Sequence, residues 1–205
     1  MYAGAARSCI DRTVLTMLLV CSLAAAVGTP VHFSLAVVGR SAFIGAGDLH
    51  KNDATACVDR LYPNYALVYI YEGSGFYADD TIGRQSIVAG DLITVFPGLR
   101  HSYGPSDGIS WGEYFLVFQG SLFAQLEVDG LLSRQQPVLS PGLRQPLLAS
   151  FRDLITEFTS ALPTDHPRFV ARIHLLIADI VECHQRSGSR RGEVEFVASA
   201  CALLD

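Results

Sequence analysis

Lysine is almost missing from this chain: of the fifteen basic residues fourteen are arginine, and Lys51 stands alone. The arginines are scattered, and with twenty acidic residues the formal charge is −5, which excludes a chain that holds nucleic acid by charge. Charged residues make up only 17% of the sequence, below the ~25% of an ordinary soluble domain, so the chain is not disordered. The five cysteines, Cys9, Cys21, Cys57, Cys183 and Cys201, are odd in number and widely spaced, with no Cys-x-x-Cys. Neither a disulfide framework nor a zinc site is suggested. No His-x-His or His-Glu-x-x-His spacing occurs, and the adjacent Asp79 and Asp80 read as solvated turn acids. No nucleophile constellation is read, and neither a metal nor a cofactor is expected.

At 205 residues the chain has room for one domain and an appendage. The appendage is amino-terminal. Only Arg7, Asp11, Arg12 and Arg40 are charged within residues 1–47, and residues 14–27 form an apolar run of secretory-signal length. Ala24, Ala25 and Ala26 would supply the small-residue cleavage site, and Arg7 and Arg12 a weak positive start. A membrane helix competes with that reading, because a span needs ~20 apolar residues and residues 13–29 nearly supply them. A third reading leaves residues 1–32 as a leader irrelevant to a cytoplasmic domain.

From residue 33 to residue 111 the texture is β: short runs rich in Val, Ile, Phe and Tyr are broken every 8–12 residues by Gly, Pro, Asp or Asn. Strands are predicted over 33–38, 65–71, 75–79, 84–88, 91–96, 101–104 and 111–118. Tyr71-Glu-Gly-Ser-Gly75 offers positive-φ positions for a tight reversal, which predicts a hairpin between its flanking strands, and Ala89-Gly-Asp91 reads as a second turn of that type. By alternation Tyr65, Leu67 and Tyr69 share one face, opposite Ala66, Val68 and Ile70. Either face can be the inward one.

After Phe118 the period changes. Residues 143–162 carry apolar side chains at 147, 148, 151, 154, 155 and 158, the spacing of an amphipathic helix that Pro163 stops. A second helix, from 167 to about 184, places Phe169, Ile173, Leu176, Ile177 and Ile180 on one stripe. Residues 186–192 read as a polar linker, and a new amphipathic segment opens beyond it.

The most specific stretches are Tyr65-Ala-Leu-Val-Tyr-Ile-Tyr-Glu-Gly-Ser-Gly75, then Gly90-Asp-Leu-Ile-Thr-Val-Phe-Pro-Gly-Leu-Arg-His-Ser-Tyr-Gly104, then Trp111-Gly-Glu-Tyr-Phe-Leu-Val-Phe-Gln-Gly120. Together they resemble the cupin-type sensor arm of AraC-family transcription regulators. That resemblance implies a mainly β fold with C-terminal helices: a cupin-like (jelly-roll) β-barrel over residues 33–142, a helical hairpin over 143–185, and a linker with the start of a truncated helix-turn-helix domain over 186–205. Gly73, Gly75, Gly90, Asp91, Pro97 and Gly98 form its turn motif. Cupin enzymes bind a metal through two His and a carboxylate plus a later His, and here only the later one has an equivalent, His101.

The function expected from the resemblance is effector sensing, with a sugar or similar polar metabolite in the barrel. The candidate ligand contacts are Tyr65, Tyr69, Tyr77, His101, Tyr103 and Trp111, whose rings and polar groups suit a sugar's apolar face and hydroxyls. The stripe from Phe169 to Ile180 is expected to dimerise the chain, and DNA is expected to be reached only through a missing C-terminal domain. A regulator of this kind acts in the cytoplasm, with export or membrane anchoring by residues 13–29 as the alternative. A small cupin enzyme, an isomerase or dioxygenase, is the rival reading, and a stand-alone domain that titrates full-length relatives is a third.

Overall fold

The computed structural model describes residues 32–38, 41–51, 56–160 and 166–202, with side chains for 43–50, 56–160 and 167–188. The expected leader, apart from its last residue, lies outside them. Ten strands run in chain order: β1 His32–Val38, β2 Ser41–Lys51, β3 Cys57–Leu61, β4 Tyr65–Glu72, β5 Ser74–Asp79, β6 Gly83–Val88, β7 Leu92–Val95, β8 Arg100–Pro105, β9 Trp111–Gln119 and β10 Val138–Leu139. Three helices follow or interrupt them: α1 Ser121–Val128, α2 Gln145–Thr159 and α3 His166–Ala202.

The strands form two antiparallel sheets, a six-stranded one in the order β1-β2-β9-β4-β7-β10 and a four-stranded one in the order β3-β8-β5-β6. This is the mainly β, cupin-like architecture with C-terminal helices that the sequence reading expects. The seven strands read from the sequence are all present, with ends displaced by at most one residue. Strands β2, β3 and β10 are additions. Strand β2 carries Gly45 and Gly47 and has little intrinsic strand preference, yet it pairs with β9 along its length, from Ala42 opposite Gln119 to Lys51 opposite Trp111.

The expected hairpin at Tyr71-Glu-Gly-Ser-Gly75 does not form. Strand β4 pairs with β7 and β9, and β5 pairs with β6 and β8, so the chain crosses from one sheet to the other at this point. Gly73, at φ +92°, makes the crossing, and a Cβ there would sit 2.0 Å from the Ser110 carbonyl oxygen. Gly75 is not a positive-φ residue; it lies within β5, where a Cβ would meet the Gly104 carbonyl oxygen at 1.9 Å. The turn at Gly90 is a second crossing, closed by Asp91, whose carboxylate accepts the Val88 N–H at 2.9 Å. Gly90 and Gly98 both have positive φ, as the turn motif requires. A jelly roll winds by such crossings, because each sheet must bury one face against the other.

Two apolar layers result. Ala66, Val68 and Ile70 face inward, between the sheets, with Ile44, Ile87, Ile93, Val95, Tyr77 and Trp111. Tyr65, Leu67 and Tyr69 face outward, beneath the helices. The spacing of Leu147, Phe151, Leu154 and Phe158 on α2 buries one stripe against that outer face. Pro146 sits in the first turn of α2, where a missing N–H costs nothing.

Helix α3 departs from expectation twice. First, Phe169, Ile173, Leu176, Ile177 and Ile180 are all buried within the chain, against α2 and the six-stranded sheet. They do not form the exposed dimerisation stripe that the sequence suggested, because the sheet's outer face needs an apolar cover and the helices supply it. Second, α3 runs unbroken through residues 186–192, where a linker was expected. Gly188 costs a helix roughly 1 kcal/mol but does not end it, and an Arg186 to Glu182 ion pair at 2.5 Å supports this turn. No helix among the described residues is long and apolar enough to cross a membrane.

Candidate functional site

The six candidate ligand residues separate into two groups. Tyr65 and Tyr69 lie on the helix side of β4 and bind the protein to itself. The Tyr65 hydroxyl donates to Glu127 at 3.0 Å, and Tyr69 donates to the Gly142 carbonyl at 2.8 Å. Burial, foremost, raises the pKa of both phenols above the ordinary value. Neither faces the barrel interior, so both leave the set of interior ligand contacts.

Tyr77, His101, Tyr103 and Trp111 do come together inside the barrel. The antiparallel register of β5 and β8 sets Tyr77 opposite Tyr103 and Asp79 opposite His101, so these side chains share the inward face. The His101 ring lies nearly parallel to both tyrosines, with centroids 6.4 Å from Tyr77 and 6.1 Å from Tyr103. His101 is 2% exposed. Its Nδ1 lies 3.0 Å from the Leu99 carbonyl oxygen, which can only accept, so Nδ1 carries the proton and Nε2 presents a lone pair. That Nε2 is buried and has no hydrogen-bond partner among the described residues. Burial lowers the His101 pKa, the nearby Arg60 charge adds to this, and the Leu99 hydrogen bond and Asp79 oppose it. The ring is therefore a neutral acceptor at neutral pH.

The sequence reading missed Glu113, Arg60 and Asp79. Glu113 is 4% exposed and accepts the Trp111 indole N–H at 2.6 Å. The signal was available: Glu113 stands two residues after Trp111, hence on the same face of one strand. Burial and then the charge of Glu113 hold the Tyr103 phenol well above its ordinary pKa. Arg60 stacks its guanidinium 4.3 Å above the Tyr62 ring. Asp79 accepts the Tyr77 hydroxyl at 2.7 Å and the Thr81 and Ile82 N–H groups through its other oxygen, which makes it a turn-former tied to the interior.

Gly104-Pro-Ser-Asp-Gly108 spells Gly-x-Ser-x-Gly, a spacing the sequence reading passed over. It runs from the end of β8 into the loop before β9 and is not a strand-to-helix elbow, so it does not present Ser106 as a nucleophile in the way that motif requires. Among the described residues no three His, Cys, Asp or Glu side chains gather as a metal-binding group. The interior can accept and donate hydrogen bonds to a small polar molecule between aromatic walls.

Two sheets rolled around such an interior define a small-molecule-binding β-barrel. The chain belongs to the AraC-like ligand binding domain family, whose model matches residues 53–191. Among solved structures it is similar to ToxT from Vibrio cholerae, at 12% identity and TM-score 0.43, over 71% of this chain and 58% of that one. It is also similar to YhaK from Escherichia coli, at 17% identity and TM-score 0.35, over 45% of this chain and 42% of that one. A cupin-like protein from Thermotoga maritima shares 14% identity at TM-score 0.33, over 44% of this chain and 75% of that one. The matched part thus spans less than two thirds of ToxT and of YhaK. No curated protein matches the chain.

Proposed function

We propose that this chain is the effector-sensing part of an AraC-type transcription regulator and that its barrel takes a sugar or a similar polyhydroxylated metabolite. The observation that carries the reading is the Nε2 of His101, buried between Tyr77 and Tyr103 and without a partner among the described residues. An unmet buried acceptor costs roughly 1–3 kcal/mol, a cost that a ligand hydroxyl removes. Glu113 would accept a second hydroxyl, and the faces of Tyr77, Tyr103 and Trp111 suit a sugar's apolar side. In this reading the barrel binds and does not catalyse, the chain works in the cytoplasm, and DNA is read by a helix-turn-helix domain and not by the barrel.

Self-association in this reading uses the outward stripe of α3, where Ala171, Leu175 and Ala178 are exposed. Sedimentation tests that part: the parent chain should dimerise at tens of micromolar, and Leu175→Arg should not. For the effector, calorimetric titration with aldopentoses and aldohexoses should give saturable binding to at least one. His101→Phe should weaken it roughly tenfold or more. A folded chain that binds none of these sugars, or a variant that binds them as the parent does, would overturn the reading.

A further inference from the structure

Outside the barrel, between the first turn of α2 and one side of α3, lies a cavity of about 520 Å3 bordered by Arg144, Gln145, Ser150, Asp179, Glu182 and Cys183. His101, Tyr103, Trp111 and Glu113 do not border it, so it is distinct from the interior site. Its walls carry unlike charges from different elements. Arg144, at the N-cap position of α2, donates from Nε to the Pro141 carbonyl at 2.7 Å and from Nη2 to the Ser187 hydroxyl at 3.4 Å. Neutral oxygens thus hold the guanidinium, and no carboxylate among the described residues neutralises it.

Asp179, across the cavity on α3, makes no hydrogen bond or ion pair among the described residues. Glu182, one turn further along, holds Arg186. Helix α2 begins without a side-chain cap and without an acidic residue in its first turn, so its amide end adds to the positive pole beside Arg144. A positive pole and a negative pole therefore line one cavity without meeting. A purely anionic guest would face the unpaired carboxylate of Asp179, and a purely cationic guest would face Arg144.

We propose that the cavity between α2 and α3 binds a small zwitterion carrying a carboxylate and an ammonium. The carboxylate lies on Arg144 and the first turn of α2. The ammonium lies on Asp179. The volume falls within the range of small-molecule sites, and neither pole needs a change in the fold. Such a guest joins α2 to α3 by its two ends.

The test uses the full chain with four probes: 4-aminobutanoate and 6-aminohexanoate, which carry both charges, and butanoate and butylammonium, which carry one each. Ligand-observed NMR and calorimetry should show saturation by at least one amino acid at millimolar concentration, with the singly charged probes roughly tenfold weaker or more. Asp179→Asn, a change at a side chain without bonded partners among the described residues, should weaken the amino acid by a similar factor, and so should Arg144→Gln. His101→Phe, in the barrel, should leave this binding unchanged while it weakens sugar binding, so the two sites fail separately. The proposal is overturned if neither amino acid saturates the chain, if butanoate or butylammonium binds equally well, or if Asp179→Asn binds as the parent does.

Discussion

Tyr69 stacks on Phe151 with ring centroids 5.3 Å apart and planes 12° from parallel, so the barrel wall and α2 are packed ring on ring. The same tyrosine's hydroxyl donates to the Gly142 carbonyl and accepts the Arg144 N–H at 3.2 Å, which fixes where α2 starts. A residue that looked like an effector contact is in fact the attachment between sheet and helix.

Tyr69→Phe keeps the stack and removes both hydrogen bonds, and it should cost about 1–2 kcal/mol. Phe151→Ala removes the stack and leaves a cavity, at about 3–5 kcal/mol. Urea unfolding reads both as a lower midpoint at unchanged slope. A Tyr69→Phe chain as stable as the parent would show that the hydroxyl bonds contribute nothing.

Stability should fall on acidification through His101. Its folded pKa lies below the ordinary value because burial disfavours the charged ring. As pH drops through about 6.5 the unfolded chain takes up a proton that the folded chain resists, so the stability present above that pH is lost below it. Unfolding at pH 7.5 and at pH 5.5 should show a smaller loss for His101→Phe than for the parent. Equal losses would assign the acid sensitivity to other groups.

The buried stripe of α3 should behave as core. Ile177→Ala should cost about 2–5 kcal/mol, while Val128→Ala, at a position 77% exposed, should stay within about 0.5 kcal/mol. Leu176→Asp places a charge in the same layer and should unfold the chain rather than split a dimer, a difference that circular dichroism detects directly.

Gly73 and Gly83 both have positive φ, at +92° and +72°, but only Gly73 is crowded. Gly83→Ala should cost about 1–2 kcal/mol for the backbone conformation alone. Gly73→Ala adds a collision with the Ser110 carbonyl and should cost distinctly more, because the backbone leading into β9 cannot yield as a side chain does. Denaturant midpoints of the two variants give the comparison, and equal midpoints would mean that the crossing relaxes freely.

The strand texture, the turn residues and the helix periodicity were legible in the sequence because they are local: alternation, breakers and i, i+4 spacing act over a few residues. The strand, turn and aromatic motifs between Tyr65 and Gly120 carried the resemblance for the same reason. What the chain does with those elements depended on contacts between distant segments. The inward choice of Ala66, Val68 and Ile70 over Tyr65, Leu67 and Tyr69 was open in the sequence, since both faces are apolar; α2 and α3 closed it by covering one of them. The Gly73 turn reads alike as a hairpin or a crossing, and only the pairing of β4 with β7 and β9, far along the chain, decides between them. Strand β2 is hidden by its glycines and exists through its pairing with β9. The orphaned Nε2 of His101 and the opposed charges of Arg144 and Asp179 are likewise invisible in sequence, because a missing partner is a property of the packed interior and not of any residue in it.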